Sequence, residues 1–167
     1  MALSARPLTT LANPPKLDVN KIAAMVQLLQ FISWPHSAMP AGTRPLEFCV
    51  LGKEQWVPLL RQAVHGEMVN GHSIKVTPIE AAPEALICHI LLLGSVMEKE
   101  WLDVVARLPI LTIRGEDTGQ PQGAMVNVSV ASGRPRFQLD LDRARKAQIQ
   151  FSAKLLQLSE VALRDSP

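Results

Sequence analysis

The residues of this chain whose side chains could do chemistry are few and widely spaced. Its histidines, His36, His65, His72 and His89, include no pair four positions apart, the spacing of a helical metal site. His89 follows Cys88, and a Cys–His dyad would activate the thiol as a nucleophile. Because adjacent strand residues face opposite sides of a sheet, we favour a structural, hydrogen-bonded His89 over such a dyad.

A second candidate is the acidic pair Glu116 and Asp117, which follows a predicted strand. Ligand and catalytic sites of α/β proteins often lie at such strand ends. A solvated acidic turn is the commoner use of this pattern, so an enzyme with its site here is a minor hypothesis. Asn127 begins a glycosylation sequon, Asn-Val-Ser, but lies inside a predicted strand.

The chain lacks the motifs of the main catalytic and nucleotide-binding classes. It has no GxGxxG turn, and Gly52-Lys53 lacks the rest of a phosphate-binding loop. It has no GxSxG, HExxH or CxxC motif, and no acidic pair of a receiver domain after its first predicted strand. We therefore expect no enzymatic activity, no metal and no cofactor.

Length and composition indicate one globular domain. The 167 residues are 47% hydrophobic and 19% charged, which excludes intrinsic disorder and allows a sizeable core. A net charge of +2 without a basic run argues against a nucleic-acid partner.

No apolar run reaches the roughly 18 residues of a membrane span, so we expect no direct membrane insertion. Residues 1–15 lack the apolar segment of a signal peptide. We expect a flexible arm over 1–17, a single domain over 18–162 and a tail over 163–167.

The first predicted element is a helix from Asp18, a plausible N-cap, to Trp34, ended by Pro35. Its apolar positions follow helical spacing: Ile22, Met25, Val26, Leu29 and Ile32. Leu28 and Phe31 lie off that stripe. The helix is therefore either packed between the sheet and its neighbours or in contact with a partner or a second copy of the chain.

Strands and helices then alternate. The predicted strands are Leu46–Leu51, Ile74–Ile79, Ala85–Leu93 and Pro109–Ile113, with helices over 54–64 and 97–106. A hairpin turns at Ser132-Gly133 between strands over 124–130 and 136–141, and helices follow over 142–147 and after Ser152. This pattern predicts an α/β fold: a three-layer sandwich with a mixed, mostly parallel central sheet and a C-terminal antiparallel hairpin.

The two cysteines lie in the first and third predicted strands. In the common strand order 2-1-3-4 those strands are neighbours, which brings Cys49 and Cys88 within reach of each other. The alternative is a pair of reduced cysteines packed as small hydrophobic residues. Export to an oxidising compartment would favour the disulfide.

Seven segments, in this order, resemble the YfiR family of bacterial periplasmic proteins over about residues 18 to 160. They are FISWP (31–35), FCVLG (48–52), CHILLLG (88–94), ILTI (110–113), GAMVN (123–127), RFQLD (136–140) and SAKLLQL (152–158).

The resemblance implies an exported, usually dimeric α/β protein without a reaction of its own. Such a protein binds the periplasmic sensor domain of a membrane-bound diguanylate cyclase of the YfiN type and holds it inactive, which keeps cyclic di-GMP low. Redox or envelope stress is the implied releasing signal. Members of the family often carry a second cysteine pair near the position of the 123–130 segment, and this chain has only Cys49 and Cys88.

A repressor of this kind needs an exposed patch in which aromatic residues, Met and Arg are common. The candidate partner-binding residues are Trp34, Met125, Arg136, Phe137, Leu155 and Leu156. Core packing is the alternative for Phe137, Leu155 and Leu156, and Asn127 is expected to fix its strand rather than touch a partner. The alternative function is a periplasmic module that binds a small ligand and acts on another membrane receptor.

Overall fold

A computed structural model describes residues 16–94, 99–115 and 123–162. Its helices are α1 (Lys16–Leu28), α2 (Val57–Val64), α3 (Lys99–Val105), α4 (Leu141–Lys146) and α5 (Ala153–Leu158). Its strands are β1 (Ile32–Ser33), β2 (Leu46–Leu51), β3 (Ile74–Ile79), β4 (Ile90–Leu93), β5 (Leu111–Arg114), β6 (Val126–Ala131), β7 (Arg134–Asp140), β8 (Gln150–Phe151) and β9 (Glu160–Ala162). Short 3-10 helices cover Leu29–Phe31, His36–Ala38, Glu54–Trp56 and Ala82–Ile87.

The strands form a seven-stranded sheet in the order β3-β2-β4-β5-β6-β7-β9. The strands from β3 to β6 are parallel to their neighbours, whereas β7 is antiparallel to β6 and parallel to β9. The predicted order of the first four strands is confirmed, with β2 between β3 and β4. The predicted fold class, an α/β sandwich with a mixed, mostly parallel sheet, is confirmed as well.

Hydrophobic clusters lie on both faces of the sheet, because successive strand residues point to opposite sides. Phe48 and Val50 of β2 belong to the cluster covered by α1 and α2. Cys49 and Leu51 belong to the second cluster, which Ala85 and the side chains of α3 cover. Helices on both faces of one sheet give the three layers.

The hairpin between β6 and β7 forms as predicted. Ser132 and Gly133 connect the strands with φ angles of 53° and 76°. Positive φ at both central residues is the geometry of a type I′ turn, whose twist matches that of the flanking strands. The turn pairs Ala131 with Arg134 and fixes the register of the hairpin.

The first helix is shorter than predicted. It includes Asp18, which is therefore not its N-cap, and continues as a 3-10 turn only to Phe31. Ile32 and Ser33 instead form β1, which pairs with Phe151 and Gln150 of β8. The prediction of a helix to Trp34 is wrong because this distant strand supplies hydrogen bonds that compete with helical ones.

The predicted strand over Ala85–Leu93 is also shorter. A 3-10 helix with Pro83 in its first turn covers Ala82–Ile87, and only Ile90–Leu93 pairs in the sheet. A continuous apolar run does not distinguish a buried strand from a buried helical turn. Similarly, the strand predicted over Pro109–Ile113 begins at Leu111 and ends at Arg114.

Candidate functional site

A groove of about 650 Å³ lies at the edge of the sheet where the parallel strands begin. Its lining residues come from β1, the loop after it, α4, β8 and α5: Ser33, Trp34, Pro35, Leu141, Ala144, Arg145, Gln148, Ile149, Gln150, Phe151 and Leu156. We call it the amino-edge groove. The pairing of β1 with β8 brings its two walls together, although nearly the whole domain separates them in sequence.

Trp34 is fixed at the edge of this groove by the start of β4. Its indole Nε1 donates a hydrogen bond to the main-chain oxygen of His89 at 3.1 Å, and its side chain is 7% exposed. The same oxygen accepts a hydrogen bond from the amide of Leu111 at 2.9 Å. The indole therefore joins the segment after β1 to the first residues of β4 and β5.

His89 is a structural residue, as the sequence analysis favoured. Its Nδ1 accepts a hydrogen bond from the Glu47 amide at 2.9 Å, which requires an unprotonated Nδ1. Burial lowers the pKa of His89 from its usual 6.5, the Glu47 carboxylate opposes this shift, and His72 adds to it. The ring therefore serves as a neutral acceptor that holds the start of β2.

Cys88 offers no thiol to a dyad because it is bonded to Cys49. The two Cα atoms are 6.0 Å apart, and the bond crosses from β2 to the residue before His89. Cys49 is fully buried and Cys88 is 5% exposed. The predicted pairing is thus present in the structure, within the second hydrophobic cluster.

Two capping interactions position the helical wall of the groove. The Asp140 carboxylate accepts a hydrogen bond from the Arg143 amide at 3.1 Å and caps α4. The Ser152 hydroxyl accepts one from the Leu155 amide at 3.2 Å and caps α5, the helix predicted after this residue. These caps fix two short helices whose outer turns carry Arg145 and Leu156 into the groove.

The structure brings together only two of the predicted partner-binding residues, Trp34 and Leu156. Leu156 is 37% exposed, and Arg136 is exposed on β7 outside the groove. We expected all six candidate side chains to be exposed. That expectation is wrong for four of them, since Trp34, Met125, Phe137 and Leu155 are at most 9% exposed. The core-packing alternative is confirmed for Phe137 and Leu155, which pack in the cluster beneath α1 and α2.

Sequence reasoning missed the polar residues of the groove, Arg145, Gln148 and Gln150. They belong to a short helix and to a strand of only two residues. Such elements are too short to produce a hydrophobic period. The only local signal was the predicted α4 itself, which places Arg145 on a helix.

A second groove, of about 530 Å³, runs along the outer side of α1. It is lined by Ala23, Val26, Gln27, Gln30, Phe31, Ala63, Glu67, Phe137 and Leu158, and we call it the α1 groove. Leu158 is 57% exposed at its edge. Leu28 is fully buried, so packing within the domain, not contact with a partner, accounts for this off-stripe residue.

Asn127 stabilises the hairpin from within. It is completely buried, and its amide Nδ2 donates a hydrogen bond to Gln138 Oε1 of β7 at 3.0 Å. The expected role in fixing the strand is confirmed. A buried side chain within a paired strand is no acceptor for glycosylation in the folded protein.

Some candidates lie outside these sites. Glu116 and Asp117 are outside the described residues. Within the described ranges, no cluster of three or more His, Cys, Asp or Glu side chains could hold a metal ion. In the same ranges, no helix combines the length and apolar character needed to cross a bilayer.

The comparison with known families supports the resemblance. No individually curated protein matches the chain. The model of the YfiR/HmsC-like family matches residues 19–160, which include α1 from its second turn, the strands from β1 to β8 and the amino-edge groove. The chain therefore belongs to the YfiR/HmsC-like family.

Proposed function

We propose that this protein is a periplasmic negative regulator. It binds the sensor domain of an inner-membrane diguanylate cyclase of the YfiN type and holds the cyclase inactive, which lowers cyclic di-GMP. The observation that carries this proposal is the family match over residues 19–160. The protein acts through contact, as a homodimer, and catalyses no reaction of its own.

The disulfide supports the periplasmic location. A bond between Cys49 and Cys88 persists in oxidising compartments and is rare in the reducing cytosol. We assign the function to a single domain over residues 18–162.

The amino-edge groove is the surface we assign to the cyclase. It joins an aromatic ring, an exposed leucine and an arginine: Trp34, Leu156 and Arg145. Aromatic and arginine side chains are enriched at the centres of protein interfaces. Among the residues that the structure describes, Arg145 forms an ion pair with Asp142 at 3.3 Å on the surface, and both side chains are more than half exposed. Such a pair is weak and leaves the guanidinium available to a partner.

Cellular cyclic di-GMP tests the proposal. Deletion of the gene should raise cyclic di-GMP, and restoration of the wild-type gene should lower it again. Restoration with Leu156→Asp should fail, because a carboxylate at the groove would be buried against the partner without a counter-charge. Leu86→Asp is the matched control, since Leu86 is 51% exposed and lies outside the groove.

An unchanged level on deletion, in cells that express the cyclases, would contradict regulation of a cyclase. Equal failure of Leu156→Asp and Leu86→Asp would instead contradict the assignment of the groove. Periplasmic levels of each variant, measured by immunoblot, separate loss of binding from loss of the protein.

The volume of the groove favours a second candidate function, that of a periplasmic module that binds a small ligand and acts on another membrane receptor. About 650 Å³ lies within the range of small-molecule sites, and the lining combines Phe151 and Leu156 with polar Arg145 and Gln148. A small molecule that binds the folded protein should raise the melting temperature. Arg145→Met should remove that rise, whereas Lys146→Met, on the same helix but outside the groove, should keep it.

A further inference from the structure

The helix α4 ends in a left-handed turn at Gln148, a residue that lines the amino-edge groove. The Gln148 amide donates a hydrogen bond to the Arg145 oxygen at 3.0 Å, and the Ile149 amide donates one to the Ala144 oxygen at 2.9 Å. These two hydrogen bonds form a Schellman motif, which satisfies the last carbonyls of a helix and requires a left-handed residue after the C-cap. Ala147 is the C-cap, and Gln148 after it has a φ of 62°.

The glutamine side chain makes this turn less stable than it could be. A left-handed backbone costs free energy in residues that carry a β-carbon, and glycine is the usual residue at this position of the motif. A glycine at position 148 would form the same hydrogen bonds, because both use only main-chain atoms. The buried residue that accompanies the motif is the neighbouring Ile149. The fold therefore requires the left-handed conformation at this position but not the side chain of Gln148.

Within the described ranges, three other residues that are not glycine have a positive φ, and the fold accounts for each of them. Asn70 and Ser132 are each followed by a glycine with positive φ in a two-residue turn, whose geometry requires this conformation at both positions. The side chain of Lys53 packs against Gly94. By contrast, the side chain of Gln148 is exposed and forms no hydrogen bond with the part of the chain that the structure describes.

The groove supplies the role that the fold does not. Gln148 lies in its lining between Arg145, on the preceding helical turn, and Gln150, the first residue of β8. A carboxamide both donates and accepts hydrogen bonds, so it can pair with polar groups of a bound protein. Backbone strain in folded proteins is concentrated at residues that bind ligands or partners, where the contact compensates for the lost stability.

We propose that Gln148 is a partner-contact residue whose side chain is kept at a strained position for binding. This inference rests on the proposed function, in which the amino-edge groove contacts the sensor domain of the cyclase. The Gln148 carboxamide forms hydrogen bonds with polar groups of that domain, and the free protein is less stable as a result. Removal of the side chain should therefore change stability and repression in opposite directions.

The variant Gln148→Gly tests both directions at once. Glycine relieves the left-handed strain, so urea unfolding of the purified variant should give a folding equilibrium constant about fivefold above that of the wild type. In cells that lack the gene, the same variant should fail to return cyclic di-GMP to the level that the wild-type gene restores. Unfolding of the variant cannot explain this combination, because the variant is the more stable protein.

Two alanine variants serve as controls. Gln148→Ala removes the carboxamide but keeps a β-carbon, so it should lose repression without the gain in stability. Gln62→Ala removes an exposed glutamine of α2, outside the groove, and should repress as the wild type does. A Gln148→Gly variant that represses fully, or that is no more stable than the wild type, would overturn the inference. So would equal loss of repression in Gln62→Ala.

The variant Leu156→Asp distinguishes failure of this inference from failure of the proposed function. If Leu156→Asp abolishes repression and Gln148→Gly does not, the groove contacts the cyclase and only the role of Gln148 is wrong. If deletion of the gene leaves cyclic di-GMP unchanged, both proposals are wrong.

Discussion

His89 forms hydrogen bonds to three segments at the amino edge of the sheet, and no sequence motif indicated this role. Its ring accepts the Glu47 amide, its amide donates to the Glu47 oxygen at 2.9 Å, and its oxygen accepts from Trp34 and Leu111. The structural role favoured for His89 is confirmed, but the argument from strand alternation was not the reason, because Cys88 and His89 precede β4 and Cys88 is bonded to Cys49. Sequence analysis could not predict the bond to Trp34, because that partner is brought in by β1, an element that local sequence does not show.

We predict that the protein loses stability as pH falls below about 6.5. His89 has a lowered pKa when folded, so the unfolded chain binds its proton more readily, and protonation favours unfolding. The stabilisation is complete above the unfolded pKa of 6.5 and declines as pH falls toward the folded value. Denaturant unfolding at a series of pH values measures this decline.

His89→Asn should flatten that pH dependence, because an amide oxygen can accept the Glu47 hydrogen bond without titrating. His65→Asn removes an exposed imidazole and serves as the control. A slope equally steep in His89→Asn and the wild type would exclude His89 as its source.

At the scale of elements, the six-residue strands β2 and β3 were predictable, whereas the ends of the longest apolar segments and the two-residue strands were not. The hydrophobic runs of β2 and β3 gave correct bounds, and Ser132-Gly133 gave the correct hairpin. The two-residue strands β1 and β8 have no period to detect, and β9 pairs with β7 through long-range contacts. The amino-edge groove depends on β1 and β8, so most of the candidate site escaped prediction for the same reason.

We predict that Ser152→Ala lowers the free energy of unfolding by about 1 kcal/mol, the usual cost of losing an N-cap. The hydroxyl accepts the Leu155 amide, and Leu155 is fully buried, so fraying of α5 also loosens the core. Urea unfolding measures the change. Ser152→Asp keeps an acceptor at this position and should retain most of the stability. If both variants lose the same amount, the cap is not the cause.

At the scale of the whole molecule, the disulfide joins the centre of the sheet. We predict that Cys49→Ala with Cys88→Ala lowers the free energy of unfolding by about 4 kcal/mol, because the bond closes a loop of 39 residues in the unfolded chain. Urea unfolding of the oxidised wild type and the double variant measures this difference. Reductant should destabilise the wild type and raise its intact mass by two hydrogens, and should leave the variant unchanged. An oxidised wild type whose free energy of unfolding equals that of the double variant would contradict the prediction.

The proposed homodimer also belongs to this scale. The α1 groove places the partly buried Phe31 near the exposed Leu158, and burial of this apolar surface against a second copy would stabilise a dimer. Light scattering should give twice the 18.3 kDa of one chain for the wild type. Leu158→Asp should shift the protein toward monomer, whereas Leu86→Asp, outside this groove, should not. A wild-type monomer, or a Leu158→Asp dimer as stable as the wild type, would contradict this interface.

The pairing of β1 with β8 has a consequence for biogenesis. Ile32 and Phe151 can meet only after nearly all of the intervening polypeptide has been synthesised, and the sheet between them is built mainly from parallel, non-local pairings. Topologies of this kind fold slowly, since distant segments must meet before their contacts stabilise them. Under the proposed periplasmic function, slow folding of this sort would keep the polypeptide able to pass through a translocation pore, and the β1–β8 pair that builds the groove could form only after that passage.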